Sequence, residues 1–190
     1  MRGAEAVVSN SRLLGLPVVI KERIPKTYRH KTLDSKLRTE RTKREARLLN
    51  KAKLVGVPCP TVLEVTEFKI VMTKIRGKRA DLIKNKNSAK TAGKYLAQLH
   101  TSNIIHGDYT PANLITESTK SGKPSKLFVI DFGLGFFSED VEDKAIDVLT
   151  MLKSIPESVH KSFISGYSKY KNAKSVLVRV EEVKKRVRYA

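Results

Sequence analysis

The sequence predicts an α+β fold in two unequal lobes: a small N-terminal sheet carrying one long helix, and a mainly helical C-terminal lobe. Three observations predict it. Short apolar runs rich in β-branched residues, Val7-Val8, 16–20, Val62–Val65 and 69–72, are confined to the first 76 residues. Among them lies one stretch, 34–53, with no Gly or Pro and many helix formers. Beyond Gly77 the spacing becomes helical, with Ala89, Ala92, Leu96 and Leu99 recurring at three and four residues up to His100.

The early elements follow in order. Val18-Val19-Ile20-Lys21 is a strand that ends in a lysine, and Pro25 stops the pattern. In the helix, Leu37, Arg41, Glu45, Leu48 and Ala52 share one side. Gly56 and Pro58 end it, and the strands at 62–65 and 69–72 pair across the polar Thr66-Glu67. Residues 1–76 form the first lobe and 77–190 the second, with a polar connection over 77–87. Ile104-Ile105 leads into His106-Gly107-Asp108-Tyr109-Thr110-Pro111-Ala112-Asn113. The apolar run 127–130 is a buried strand that stops at Asp131-Phe132-Gly133. Helices are expected over 141–155 and 156–170, and a basic helix from Ser175 onward.

Composition narrows the function. Of 190 residues, 38 are Lys or Arg and 19 Asp or Glu, a formal charge of +19. The segment 21–53 carries 13 basic and 4 acidic residues, and 169–190 carries 8 and 2. Two short segments thus hold most of the excess, which favours an anionic partner such as RNA or an acidic surface. Cys59 is the single cysteine, so neither an intrachain disulfide nor a cysteine metal cluster is expected. No apolar run approaches the length of a membrane span and the first residues lack a signal-peptide core, so a cytoplasmic location and no membrane partner are expected.

Carboxylates are scarce in so basic a chain, and their placement is informative. Asp108 and Asn113 lie five apart on a Pro-containing loop, and Asp131 ends an apolar strand before a glycine. Asp131 and Asn113 are oxygen donors suited to Mg²⁺ (or Mn²⁺), which fills its remaining positions with water and phosphate. Asp108, left unligated, is free to orient or deprotonate an attacking hydroxyl or water. Lys21 can reach the α- and β-phosphates of ATP, and Glu45 on the long helix is the carboxylate placed to aim it. Glu22 points away along the strand, and Glu40 falls on another helical face. Gly3, Ala4 and Glu5, before the first strand, are candidates for covering the phosphates, although no G-x-G-x-x-G occurs. Met72, Ile75 and Ile130 complete the candidate nucleotide contacts. The G-x4-G-K-[ST] signature of P-loop ATPases is absent.

Asp108-x4-Asn113 followed by Asp131-Phe132-Gly133 resembles the catalytic loop and metal-binding triplet of protein kinases. The resemblance is closer still to one family. Gly3-Ala4-Glu5-Ala6, the run from Val19 to Arg29, the helix pattern from Leu33 to Leu49, His106-Gly107-Asp108, Asp131-Phe132-Gly133-Leu134-Gly135 and Glu142-Asp143-Lys144-Ala145-x-Asp147-Val148 are similar to the small atypical kinase subunit of the KEOPS/EKC complex, the p53-related protein kinase family. The short length suggests an archaeal member.

That resemblance implies a reduced bilobal protein-kinase-like fold without an extended activation segment. It implies Ser/Thr autophosphorylation in isolation, and an ATPase role in the complex that makes threonylcarbamoyladenosine in tRNA. Its partners would be the tRNA threonylcarbamoyltransferase subunit, a small regulatory subunit and tRNA. By the same resemblance Asp147 bonds the catalytic-loop backbone, His106 packs and orients that loop, and the basic tail meets partner and tRNA. Here the tail reads Lys184-Lys185-Arg186-Val187-Arg188, less dense in arginine than the family's usual ending.

Other residues point to an unusual output. Gly107 stands where ordinary protein kinases place the arginine that pairs with an activation-loop phosphate, and Thr110 where they place a lysine. Only residues 134–140 separate Gly133 from the next helix, too few for a peptide-docking segment. Hydrolysis or a macromolecule-restricted reaction is therefore favoured over broad protein phosphorylation. Two alternatives stand beside this reading: a small-molecule phosphotransferase, and a nucleotide-binding pseudokinase scaffold for RNA or protein assembly.

Overall fold

A computed structural model describes residues 6–79, 85–117 and 126–188, with side-chain surroundings given up to Arg186. The candidate phosphate-covering residues Gly3, Ala4 and Glu5 lie outside the described residues.

The first lobe is an antiparallel sheet in the order β1-β2-β4-β3, built from β1 (Ala6–Leu13), β2 (Leu16–Arg23), β3 (Val62–Val65) and β4 (Lys69–Thr73). β2 is central, and Lys21 faces Val8 on one side and Ile70 on the other. Because side chains alternate along a strand, Val19, Lys21 and Arg23 share one face. Against the sheet lies α1 (Lys31–Leu54), which buries Glu45, Ala46, Leu48, Leu49 and Ala52. Each fully buried leucine contributes about 1.5–3 kcal/mol. The start of α1 is anchored by buried Asp34, which accepts from Arg38 Nε at 2.7 Å and from the Lys26 backbone N–H at 3.3 Å.

The second lobe centres on α2 (Lys86–Thr101), whose first turn is capped by Asn85 Oδ1 accepting from Asn87 N–H at 2.7 Å. α2 packs on α4 (His160–Tyr167) through two reciprocal glycines. A Cβ on Gly93 would collide with the Phe163 carbonyl oxygen, and one on Gly166 with the Lys90 carbonyl oxygen. The backbones approach so closely that only hydrogen fits on either side. α3 (Val141–Ser154) begins at an Asp140 cap, and α5 (Ala173–Arg188) lies against it with Val176 and Val180 buried.

Between the lobes, β5 (Gly77–Arg79), β7 (Leu114–Glu117) and β8 (Leu127–Val129) form a second sheet in the order β5-β7-β8. β6 (Ile104–Ile105) pairs with β9 (Phe136–Phe137). The expected polar connection thus opens with a strand, because Gly77 can lie against the Thr116 backbone where any Cβ would clash. The helix expected over 156–170 is shorter: a 3-10 turn, Glu157–Val159, precedes α4. The tail helix begins at Ala173, two residues earlier than expected.

The α2–α4 contact makes a direct prediction. Gly93→Ala forces two helices apart across a packed seam and costs about 2–4 kcal/mol. A urea titration reads this as a lower midpoint at unchanged slope; an unchanged midpoint would contradict the contact.

Candidate active site

A hairpin assembles the acidic half of the site. β7 and β8 are antiparallel, so the residue before one and the residue after the other lie side by side. Ile130 N–H donates to the Asn113 carbonyl at 2.9 Å, which sets Asp131 beside the 106–113 loop. Asp131 has φ +61, in the left-handed region, so the chain turns sharply after the strand. Gly133 N–H then donates to Asp131 Oδ1 at 3.2 Å.

The basic half comes from β2. Lys21 Nζ lies 2.7 Å from both Glu45 Oε1 and Asp131 Oδ1, joining the two lobes through one ammonium. Arg23 Nη2 meets Glu45 Oε2 at 2.7 Å, so both oxygens of a 1% exposed carboxylate are occupied by cations. Burial lowers the proton affinity of Lys21, yet Glu45 and Asp131 outweigh it and hold its pKa above the usual lysine value. Burial raises Asp131, yet Lys21 outweighs that and holds its carboxyl below the ordinary range. Both groups therefore stay charged.

These residues border a cleft of about 240 Å³ with an apolar lining from Val8, Val19, Leu49, Met72, Ile75 and Ile130. The structure thus brings together Lys21, Glu45, Asp131, Met72, Ile75 and Ile130.

The 106–113 loop is held from behind. Asp147 of α3 is buried; its Oδ2 accepts from His106 N–H at 2.6 Å and its Oδ1 from Gly107 N–H at 2.9 Å. His106 packs on Phe132 with ring centroids 4.8 Å apart, and its Nε2 meets the Ile130 carbonyl at 3.1 Å. Tyr109 is fully buried and donates to the Ala92 carbonyl of α2 at 2.8 Å. Gly107 has φ +79, and a Cβ there would strike the Leu134 carbonyl oxygen, so the loop has no room for an arginine. Asn113 Nδ2 donates to the Asp108 carbonyl at 2.9 Å and to Asp108 Oδ2 at 2.8 Å. With its nitrogen so committed, Asn113 offers its Oδ1 as a free oxygen donor.

The donor set fits a hard divalent cation that shares its shell with phosphates. Asp131, 52% exposed, and Asn113 Oδ1 supply oxygens beside the loop that carries Asp108. Among the described residues, no cluster of three or more His, Cys, Asp or Glu would hold a metal by itself. The tail lies apart from the cleft. Lys184 pairs with Glu181 at 2.7 Å and Arg186 with Glu142 at 3.1 Å, while Lys185 is exposed. Arg188 closes α5.

Two supports escaped sequence reasoning. Arg23 carried a signal, since it stands two residues past Lys21 on the same strand face. His100 carried none, because a histidine in a last helical turn reads as an ordinary cap. In the fold it is buried, with Nδ1 2.7 Å from the Tyr167 hydroxyl and Nε2 3.4 Å from Asp147 Oδ2. Burial holds its pKa below the usual value against the pull of Asp147. The neutral ring then donates from Nε2 to Asp147 and accepts at Nδ1 from Tyr167.

The family model described as the RIO domain matches residues 19–151, the span from β2 through the helix carrying Asp147. The chain belongs to the RIO-domain family. The chain is 40% identical, over 90% of its own length and 88% of the relative's, to the probable serine/threonine-protein kinase BUD32 homolog of Archaeoglobus fulgidus. It is 39% identical over 99% of its length to the probable bifunctional tRNA threonylcarbamoyladenosine biosynthesis protein of Methanosarcina acetivorans, of which it spans 35%. The chain therefore covers about a third of the bifunctional relatives it matches. Its fold is that of the Rio2 kinase from Chaetomium thermophilum: the TM-score is 0.70 at 13% identity, over 100% of this chain and 71% of that one. The Rio2 kinase has also been solved as an ADP/Mg²⁺-phosphoaspartate complex. Among the described residues of the RIO domain, no helix is long and apolar enough to cross a membrane.

Two measurements test this electrostatic framework. Arg23→Met leaves Lys21 as the ion-pair partner of buried Glu45 but strips the donor from Oε2, and lowers stability by about 1–3 kcal/mol, read by urea denaturation. His100 binds a proton more weakly folded than unfolded, so its contribution is complete above its unfolded pKa of about 6.5 and is lost as pH falls below that. Wild type should lose urea resistance between pH 7.5 and 5.5, and His100→Gln should lose less. Equal losses would contradict the buried neutral ring.

Proposed function

We propose that the chain is an atypical Ser/Thr protein kinase and ATPase that supports threonylcarbamoyladenosine modification of tRNA within a KEOPS assembly. The observation that carries this reading is Lys21 bridging Glu45 and Asp131 at the mouth of an apolar cleft. A kinase-like cleft with all its charged groups in register is suited to ATP. The A. fulgidus relative, matched over most of both chains, favours the same chemistry, and the bifunctional relatives favour its place in tRNA modification.

Each side chain then has a part. Val19, Met72, Ile75 and Ile130 enclose the adenine, and Lys21 neutralises the α- and β-phosphates while Glu45 keeps it aimed. Asp131 and Asn113 Oδ1 would hold Mg²⁺ or Mn²⁺. Held there, such a cation would offset phosphate charge as a Lewis acid. Asp108 orients the attacking water or hydroxyl and takes its proton as the γ-phosphorus bond to the bridging oxygen breaks, and ADP leaves. Asp147 and His106 keep the loop in place, and Gly3, Ala4 and Glu5 cover the phosphates.

The output is restricted by what lies beside the cleft. After Gly133 the chain forms the short β9 and reaches the α3 cap at Asp140, leaving no segment to dock a peptide. Gly107 lacks the side chain through which an activation-loop phosphate acts. Hydrolysis, autophosphorylation and action on an assembly partner suit such a site. The threonylcarbamoyltransferase subunit, a small regulatory subunit and tRNA are the proposed partners.

The test is ATP turnover of the purified chain, alone and with the threonylcarbamoyltransferase subunit and tRNA. Turnover should rise in the assembly. Asp108→Ala and Asp131→Asn, which keeps a residue suited to φ +61, should each lower it at least about a hundredfold while the urea midpoint stays near wild type. Undiminished phosphate release in both variants would leave only the scaffold reading.

A further inference from the structure

The outer face of α1 carries charge that the cleft does not use. Lys36, Lys43, Arg44, Arg47 and Lys51 are all exposed. At about 100° per residue they fall in one stripe about 100° wide, opposite buried Glu45, Leu48 and Ala52. Among the described residues, none of the five side chains makes a hydrogen bond or an ion pair, and none of the five has an interaction left undescribed. The tail is mixed: Arg179 and Arg186 are engaged by Glu142 and Lys184 by Glu181, while Lys171, Lys174 and Lys185 are exposed.

An unpaired stripe works against the helix that carries it. Lys43 with Arg47, and Arg47 with Lys51, are like charges four residues apart, an arrangement that destabilises a helix. Glu40 is the stripe's lone acid, four residues from Lys36 and from Arg44, and forms no ion pair among the described residues. A face that keeps repelling cations along about 22 Å, with Lys43, Arg47 and Lys51 at steps of about 6 Å, complements a polymer of regularly repeated negative charge. At the approach to α1, Tyr28 is 76% exposed, with the Arg29 guanidinium, itself 3.7 Å from Asp34 Oδ1, lying 5.2 Å from its ring centroid. An exposed ring backed by a cation is a platform on which a base can stack.

We propose that the outer face of α1, with Tyr28 at its start, is an RNA-binding surface: Lys36, Lys43, Arg44, Arg47 and Lys51 take the phosphate backbone and Tyr28 stacks on an unpaired base. The choice of RNA rests on the tRNA reading above, whereas the surface rests on the geometry of α1. α1 also holds Glu45 on its inner face, so RNA seated outside bears on the helix that aims Lys21.

The experiment titrates the full chain against a labelled RNA stem-loop at several salt concentrations between about 50 and 200 mM, and follows ATP turnover in the same preparations. A quadruple variant, Lys43→Ser with Arg44→Ser, Arg47→Ser and Lys51→Ser, should lose about three units of salt slope and weaken low-salt binding more than about tenfold. Its turnover should remain within about twofold of wild type. Tyr28→Ala should weaken binding with the slope unchanged. Lys184→Ser with Arg186→Ser should alter binding less than about twofold.

The proposal is overturned if the quadruple variant keeps the wild-type slope, or if the tail variant shows the larger loss. It is also overturned if polyglutamate of equal charge displaces the RNA as well as unlabelled RNA does while Tyr28→Ala changes nothing; α1 would then be a surface for an acidic protein. A wild-type chain that binds RNA with full slope but turns over no ATP defeats the catalytic reading alone.

Discussion

The fold turns on one buried carboxylate. Glu45 lies inside the N-terminal lobe with a cation on each oxygen, Lys21 on one and Arg23 on the other. In a low-dielectric interior an ion pair is stable only when its geometry is complete, and removing one partner strands the other. That condition fixes the rotation of α1 against β2 and the height at which Lys21 leaves the sheet. Since Lys21 also meets Asp131, the same carboxylate sets the first lobe against the second. The apolar contacts of Leu48 and Leu49 supply adhesion between helix and sheet, and Glu45 supplies register.

The second lobe answers with a neutral–ionic relay. Asp147 is the acceptor for two successive backbone N–H groups of the catalytic loop, and His100 and Tyr167 support it from α2 and α4. Two backbone N–H groups and the His100 ring thus satisfy the oxygens of this buried side chain. The loop can then be short. Gly107 passes under the Leu134 carbonyl where a larger residue would collide. The reduced size of this RIO domain is thus met by close backbone approaches, at Gly93, Gly107 and Gly166, where a longer chain would interpose side chains.

Much of this was legible because it is local. The β-branched run Val18-Val19-Ile20 ending in Lys21, the uninterrupted helix formers over 34–53 and the apolar run before Asp131 each announce an element whose residues are neighbours in sequence. The 18 residues from Asn113 to Asp131 are compatible with a pair of strands between them, and β7 pairs with β8 there. Strand β5 was hidden because Gly77-Lys78-Arg79 has no β pattern of its own; it is a strand only because β7 offers an edge. The helix over 156–170 was overextended because Pro156 and Val159 shape a 3-10 turn that helical periodicity does not distinguish.

By itself the sequence determined which groups could do chemistry here: a strand-end lysine, a helix carboxylate, two aspartates and an asparagine at spacings suited to a metal-bound triphosphate. It also determined the surplus of basic charge. Only the tertiary structure decided which charges are used inside the fold and which remain for a partner. Arg23 became the second ligand of Glu45, His100 the support of Asp147, Arg186 a partner of Glu142, and the α1 stripe was left open to solvent. Pairing depends on contacts across 22 to 110 residues of chain, and periodicity within an element carries no information about what packs against its other side.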